Sequence, residues 1–451
     1  MSAAGRQGGP TSGTGGDRPV TVIVDSYSAG KFLPAACQRQ GSDVHLQSTP
    51  EFLSSVPPPD LRPYLANVVH TTSDWRETAT AVAAYSPVAV LAGQESAVPA
   101  ADAVAALLGL PGNPPGTSAV RRDKFRMIEA LRAAGLNCAR QLRSADPDEI
   151  ISWAEREAGY PVVVKPLSSA STDGVSICRN PQEVRAAVVA VLHSDDIFGS
   201  RNTELLAQSF LEGSEYVVDV VRGSGGDRHV CGIWRYEKTL IGAKRIYDRD
   251  VLIDPGNPEV AELVPYLDAV LDALDIRFGA AHAEIMMTPT GPALVEVGAR
   301  LNGLIDPGFH DLCLGGNQAD LLATAAVRPQ EFRRRYGAET MYRKHREAMV
   351  IHGRTTREGI VERIDEDVLA RIAALDTVRL VVPRLAVGDR MRPTTDLLSS
   401  PLRVFLAADR PHDLIADYRR IQQLMDDVFQ LAPTQVAGAH GTNLVAGRSR
   451  P

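Results

Sequence analysis

Lys165 closes an apolar run, Val162-Val163-Val164, and opens onto Ser168-Ser169-Ala170-Ser171-Thr172-Asp173-Gly174. A lysine is almost never fully buried without a partner, so one at the end of a buried strand calls for an anion. The loop after it carries little side-chain bulk, and its backbone N–H groups can reach an incoming oxygen. An ammonium beside hydroxyls and exposed N–H donors is a design for holding phosphate. A hairpin turn with a solvated lysine is the plain alternative, and this stretch alone does not separate the two.

A second group lies in GAAHAEIMMTPTGPALVEVGARLNG, which reads as a hairpin. With the turn centred on Thr290, Glu284 and Glu296 oppose each other across the ladder. Like charges so placed destabilise a sheet, and a divalent cation between them reverses that sign. Carboxylate oxygens with no His or Cys cage suit Mg²⁺, which takes its remaining ligands from water and phosphate. A solvated acidic face is the alternative. Arg300 follows Glu296 by four residues and Asn302 follows it by six. A guanidinium there could grip a phosphate or carboxylate through two parallel hydrogen bonds. His282 shares a strand face with Glu284 by two-residue alternation and is a candidate substrate contact.

A third segment, LLAQSFLEGSEYVVDV, ends an apolar strand near Gln208 and continues through Phe210, Leu211 and Glu215. It could stack a base, read its edge and bond a ribose. Further substrate candidates are Arg235, Tyr236, Lys238, Lys244, Tyr247, Asp248, Asp306 and His310. No Ser, Cys or His triad is visible.

These residues need a frame. Residues 18–117 alternate strand and helix, which predicts a small α/β domain with a parallel sheet. Ser118–Leu136 reads as one amphipathic helix with Phe125, Ile128, Leu131 and Ala134 on a single face. A second helix precedes Lys165. Two strands then flank the turn Gly223–Asp227, a helix spans about 259–274, and the glutamate hairpin follows. Residues 340–430 mix strands with helices, and no internal repeat is seen.

The 451 residues suffice for about three domains. Net charge −7, with no dense basic patch, argues against nucleic acid. No apolar run approaches the ~20 residues of a membrane helix. The N-terminus lacks the apolar segment of a signal peptide and reads as a disordered leader. Five scattered cysteines without a CxxC pair suit a reducing cytoplasm and indicate neither zinc nor a disulfide framework. No G-x-G-x-x-G follows the first strand, which speaks against a dinucleotide oxidoreductase.

Taken in order, Lys124 before a strand, Lys165 at a strand end, the small-residue loop, AQSFLEGSEY, then Glu284, Glu296 and Arg300 resemble the ATP-grasp superfamily. Within it the order is similar to carboxylate–amine ligases of the bacilysin-type L-amino-acid ligase group. The resemblance covers roughly residues 20–430. With the compositional reading of the ends, this gives an α/β and α+β chain divided into a disordered leader (1–17), an N-terminal α/β domain (18–117), an ATP-grasp region (118–335), a C-terminal α+β region (336–432) and a disordered tail (433–451).

It also implies roles. Lys124 and Lys165 hold ATP phosphates, and Ser169, Ser171 and the loop up to Gly174 close over them. Gln208, Phe210 and Leu211 form the adenine hinge, and Glu215 binds ribose. Glu284 and Glu296 hold Mg²⁺, with Mn²⁺ as a substitute, and Arg300 contacts the acyl-phosphate or a substrate carboxylate. Some relatives carry asparagine two residues after the second metal glutamate. This chain has Gly298 there, and Asn302 is put forward instead. The implied reaction makes an acyl-phosphate from a carboxylate, then an amide, with ADP and phosphate released. Small-molecule amino-acid or carboxylate substrates are expected, with no nucleic acid or membrane partner. A homodimer or a carrier-protein acceptor stays open, as does a non-catalytic ATP-binding module.

Overall fold

The computed structural model describes residues 18–53, 56–167, 174–195, 201–241 and 244–432. Ser169 and Ser171 of the expected phosphate loop lie outside the described residues, as do the leader and the tail.

The N-terminal unit is a four-stranded parallel sheet in the order Asn67–Val69, Ser42–Gln47, Val20–Val24, Pro87–Ala92. Val22, Ile23 and Val24 are fully buried, as a parallel sheet covered on both faces requires. The expected alternation holds. The strand Asn67–Val69 and the helix Trp75–Ala83 were not expected; that strand is three residues long and half-exposed, so it leaves no apolar signature.

Ser118–Leu136 is not one helix. A 3-10 turn, Pro115–Arg121, precedes an α-helix, Lys124–Ala133. Asp123 breaks the two apart because its carboxylate accepts from the N–H groups of Phe125 and Arg126, the usual work of an N-cap. Met127, Ile128 and Leu131 form the buried face, while Ala134 is exposed. The break places Lys124 at the first position of its helix.

Arg121 is fully buried in the turn. Its Nη2 lies 2.7 Å from Asp102 Oδ2 and its Nη1 donates to the Leu274 carbonyl at 3.0 Å. Helix Val98–Leu107, which carries Asp102, is thereby tied to the end of helix Val260–Ala273. Removing one partner of a buried pair strands the other charge. Arg121→Ala should cost about 3–5 kcal/mol of stability, read from chemical denaturation at neutral pH; a loss under 1 kcal/mol would contradict this.

Two antiparallel sheets follow. The smaller has the order Gln141–Ser144, Leu205–Ser209, Val162–Pro166, Ser176–Cys178, and the helices Pro147–Trp153 and Pro181–Val191 share its core. The larger has eight strands in the order Gly291–Gly298, Gly279–Thr288, Ser214–Arg222, Arg228–Ile241, Lys244–Leu252, Glu347–His352, Leu402–Ala408, Val378–Pro383. It runs without a break across residue 336, because Asp250 pairs with Val350 and Val251 with Met349. The C-terminal residues add a small three-stranded sheet and the helices Glu366–Ala373 and Pro411–Leu424. Among the described residues, no helix is long and apolar enough to cross a membrane.

Candidate active site

The small sheet faces the large one across a cleft lined by Lys124, Lys165, Gln208, Phe210, Leu211, Glu215, Lys238, Tyr247, Glu284 and Glu296. Ten residues spread over 170 positions of sequence therefore meet in one place.

Lys165 ends the strand Val162–Pro166 and is buried. Burial pushes its ammonium down to about 8, and the neighbouring Lys124 charge adds to this against the pull of Glu296, Glu284 and Glu215. Lys124 reaches across to Glu296, with Nζ 2.6 Å from Oε2. Burial alone would raise the Glu296 carboxyl, but Lys124, Lys165 and Arg300 outweigh it and hold the group below its ordinary range.

Glu284 does oppose Glu296, by a route the sequence does not show. The hairpin turns at Pro289-Thr290, and its pairs run regularly from Thr288↔Gly291 to Ile285↔Leu294. The register then slips by one, leaving Val295 as an extra residue before Glu284↔Glu296. A regular ladder would pair Glu284 with Val295 and turn Glu296 to the other face. The bulge is what puts both carboxylates on the cleft side.

His282 sits beside this pair. Its Nδ1 is 2.8 Å from Asp219 and its Nε2 is 3.7 Å from Glu284 Oε1. Burial would lower its pKa, but Asp219 and Glu284 outweigh it and bring it up to about 9. Asn302 is buried behind it and spends its groups within the protein. Its Nδ2 donates to Asp219 at 2.9 Å and its Oδ1 accepts from the Leu304 N–H at 2.8 Å. Asn302 thus braces Asp219 and is not among the cleft residues.

At the other end, Gln208 donates to Gln141 Oε1 at 3.1 Å, and Phe210 and Leu211 form apolar wall. Glu215 is buried, ion-paired to Lys238 and bonded by the Tyr247 hydroxyl at 3.2 Å. Lys238 and Tyr247 are expected as substrate contacts. The structure puts both on Glu215, with the ammonium 4.2 Å from the tyrosine ring centre. Gly174 has φ +66, and a Cβ there would lie 2.9 Å from Pro166 Cγ, so the loop exit accepts only glycine without strain.

Arg300 faces a partner that sequence reading missed. Its Nε is 3.1 Å from Glu95 Oε2, and Glu95 Oε1 is 3.0 Å from Arg122 Nη1. Glu95 follows the strand Pro87–Ala92, so the N-terminal unit supplies the carboxylate that fixes Arg300. Gly298 makes room, since a Cβ there would stand 2.7 Å from Glu95 Oε2. No local pattern marks Glu95, because its partner lies two hundred residues away.

The donor set suits a hard cation. Among the described residues, no three His, Cys, Asp or Glu side chains group into a metal cage. Two opposed carboxylates are available, and an ammonium already sits against one of them. That partial ligand set fits Mg²⁺, whose remaining ligands come from phosphate and water.

Two sheets closing on a cleft that holds two lysines and paired glutamates define an enzyme of nucleotide-driven phosphoryl transfer. Residues 158–307 match the model of the ATP-grasp domain. The chain is 34% identical over 421 residues to the dapdiamide A synthase of Enterobacter agglomerans, covering 92% of this chain and 98% of that one. It is 31% identical over 155 residues to the D-alanine–D-alanine ligase of Geobacter sulfurreducens, covering 34% of this chain and 44% of that one. Its fold matches the crystal structure of an L-amino acid ligase from Bacillus licheniformis with TM-score 0.70 and 20% identity, covering 92% of this chain and 99% of that chain. The chain belongs to the ATP-grasp family. It is an ADP-forming ligase of the carboxylate–amine class.

Proposed function

We propose that the enzyme joins the carboxylate of one amino acid, or of a small acid, to the amine of a second amino acid. The array Lys124–Glu296–Glu284–Lys165 carries this reading, because two ammonium groups flanking two opposed carboxylates can accept a triphosphate, a cation and a carboxylate together. The relatives named for dapdiamide and for D-alanine ligation support the substrate class.

In this reading Lys124 and Lys165 hold phosphate oxygens, Gln208, Phe210 and Leu211 hold the base, and Glu215 holds the ribose. Ser169, Ser171 and Gly174 belong to the loop that covers the phosphates. Glu284 and Glu296 hold Mg²⁺, which when bound neutralises phosphate charge and orients the γ-phosphoryl group. Arg300, fixed by Glu95, presents its guanidinium to the acyl-phosphate oxygens. His282, held by Asp219 and 3.7 Å from Glu284 Oε1, is the candidate contact to the acyl substrate. Fixed positive groups aimed at developing charge are the largest single contribution to such transfers. The acyl-phosphate carbonyl is then attacked by the amine, and the C–O bond to phosphate breaks.

The test is ADP and phosphate release from the purified chain with Mg²⁺-ATP and pools of amino acids, followed by deconvolution of the active pool. Release that depends on a carboxylate and an amine together supports the reading. Pyrophosphate and AMP in place of ADP and phosphate would sink it.

A pH dependence follows from Lys165. Only its charged form attracts phosphate, and in the free enzyme it deprotonates near 8. kcat/KM for ATP should therefore fall as pH rises through about 8. Lys165→Arg keeps its charge at every accessible pH and should remove that limb. A profile flat to pH 9.5 in the parent enzyme would contradict the assignment.

A further inference from the structure

One row of the large sheet leads out of the cleft. Met286, Glu215, Tyr236, Asp250, Val350 and Phe405 are successive cross-strand partners. On the same face, two residues along, His352 and Arg403 oppose each other directly. Arg403 is mostly shielded from solvent. Its surroundings are polar and incompletely bonded. His352 Nε2 is 2.9 Å from Asp250 Oδ2, yet Asp250 Oδ1, His352 Nδ1 and Arg403 Nε are buried polar atoms without any hydrogen-bond partner.

Arg403 is the anomaly of this cluster. A guanidinium carries five N–H donors, and among the described residues Arg403 makes neither a hydrogen bond nor an ion pair. Burial and the nearby Arg384 push it down to about 10, while Asp250 and Tyr236 pull the other way without bonding it. Arg384 stands at the rim, where its Nη1 donates to the carbonyl of Leu397, a residue that lines the nucleotide cleft. Arg403 thus has a like charge, Arg384, beside it and no carboxylate bonded to its guanidinium. Such a charge is costly to bury unless something anionic compensates it.

We propose that Arg403, with Arg384 at the rim, binds a carboxylate of the substrates other than the one that is phosphorylated. The ligand chemistry is a planar carboxylate taken by a guanidinium fork. It could be the α-carboxylate of the amine-donating amino acid or a second carboxylate on the acyl donor. This rests on the amino-acid ligase reading, and binding is therefore measured without turnover.

The experiment is calorimetric titration of the full chain, loaded with Mg²⁺ and a non-hydrolysable ATP analogue, using matched pairs of ligands. L-alanine against L-alaninamide tests the α-carboxylate, and L-aspartate against L-asparagine tests a side-chain carboxylate. The parent should prefer the carboxylate of one pair at least tenfold. Arg403→Gln should bring that ratio close to one and Arg403→Lys should restore part of it. Because the ratio is internal to each protein, a general loss of stability does not mimic the effect. A parent enzyme that binds both members of both pairs alike would overturn the proposal, as would an unchanged ratio in Arg403→Gln. Failure of the ligase reading shows separately, as missing ADP release with carboxylate binding intact.

Discussion

Glu296→Ala abolishes substrate-dependent ADP release, with kcat falling by about 10³-fold or more, the scale seen when a preorganised charge is taken from a transition state. The substitution does two things at once. It removes one of the two opposed carboxylates available to a cation, and it takes away the carboxylate oxygen that lies 2.6 Å from the Lys124 ammonium. Glu296→Gln should be nearly as damaging, because the amide keeps the shape and loses the charge. Some stability should be lost, because a carboxylate held below its ordinary range stabilises the fold at neutral pH, but the fold should survive. Steady-state kinetics beside circular dichroism checks both halves. A variant within tenfold of the parent would remove Glu296 from the cation site.

Lys165→Met separates activity from stability more sharply. kcat/KM for ATP should fall by about 10²–10³-fold, as for loss of a single fixed charge donor. Stability at pH 7 should move the other way. The folded-state pKa of Lys165 is about 8, below its ordinary value of 10.5, so folding at neutral pH must hold a charge that burial makes more costly than it is in the unfolded chain. That penalty is present below pH 8 and fades as pH rises toward 10.5. Methionine matches the stem and carries no charge, so Tm at pH 7 should rise, and the gain should shrink by pH 10. A functional residue held at a cost to the fold is the signature sought here. Lower Tm together with lower activity would mean that Lys165 is a structural cation.

Much of this site was legible because its chemistry is local. Lys165 ends a valine strand, Glu284 and Glu296 share one hairpin, and Gln208 to Glu215 occupy one strand-turn-strand joint. Each could be read from pattern and residue type. What stayed hidden depends on backbone detail or distant partners. The opposition of the glutamates follows from a bulge at Val295, which no two-residue alternation announces. Asp123 divides one expected helix into two elements because a side-chain cap competes with continuation of the helix. Glu95 and Arg300, or Lys238 and Glu215, meet only after the sheets have closed. The short strands Gln141–Ser144 and Ser176–Cys178 carry too few apolar residues to be seen, although they complete the smaller wall of the cleft. The boundary near residue 336 reads as the start of a mixed strand and helix block, while the large sheet crosses it without interruption.

The central claim is that a substrate carboxylate is phosphorylated before the amine attacks. A carboxylate substrate labelled with ¹⁸O on both oxygens tests it directly, with mass analysis of the released phosphate. The account predicts one ¹⁸O atom in each inorganic phosphate formed, because the bridging oxygen of the acyl-phosphate leaves with phosphorus when the amine displaces it. Unlabelled phosphate, or label in AMP, would contradict it.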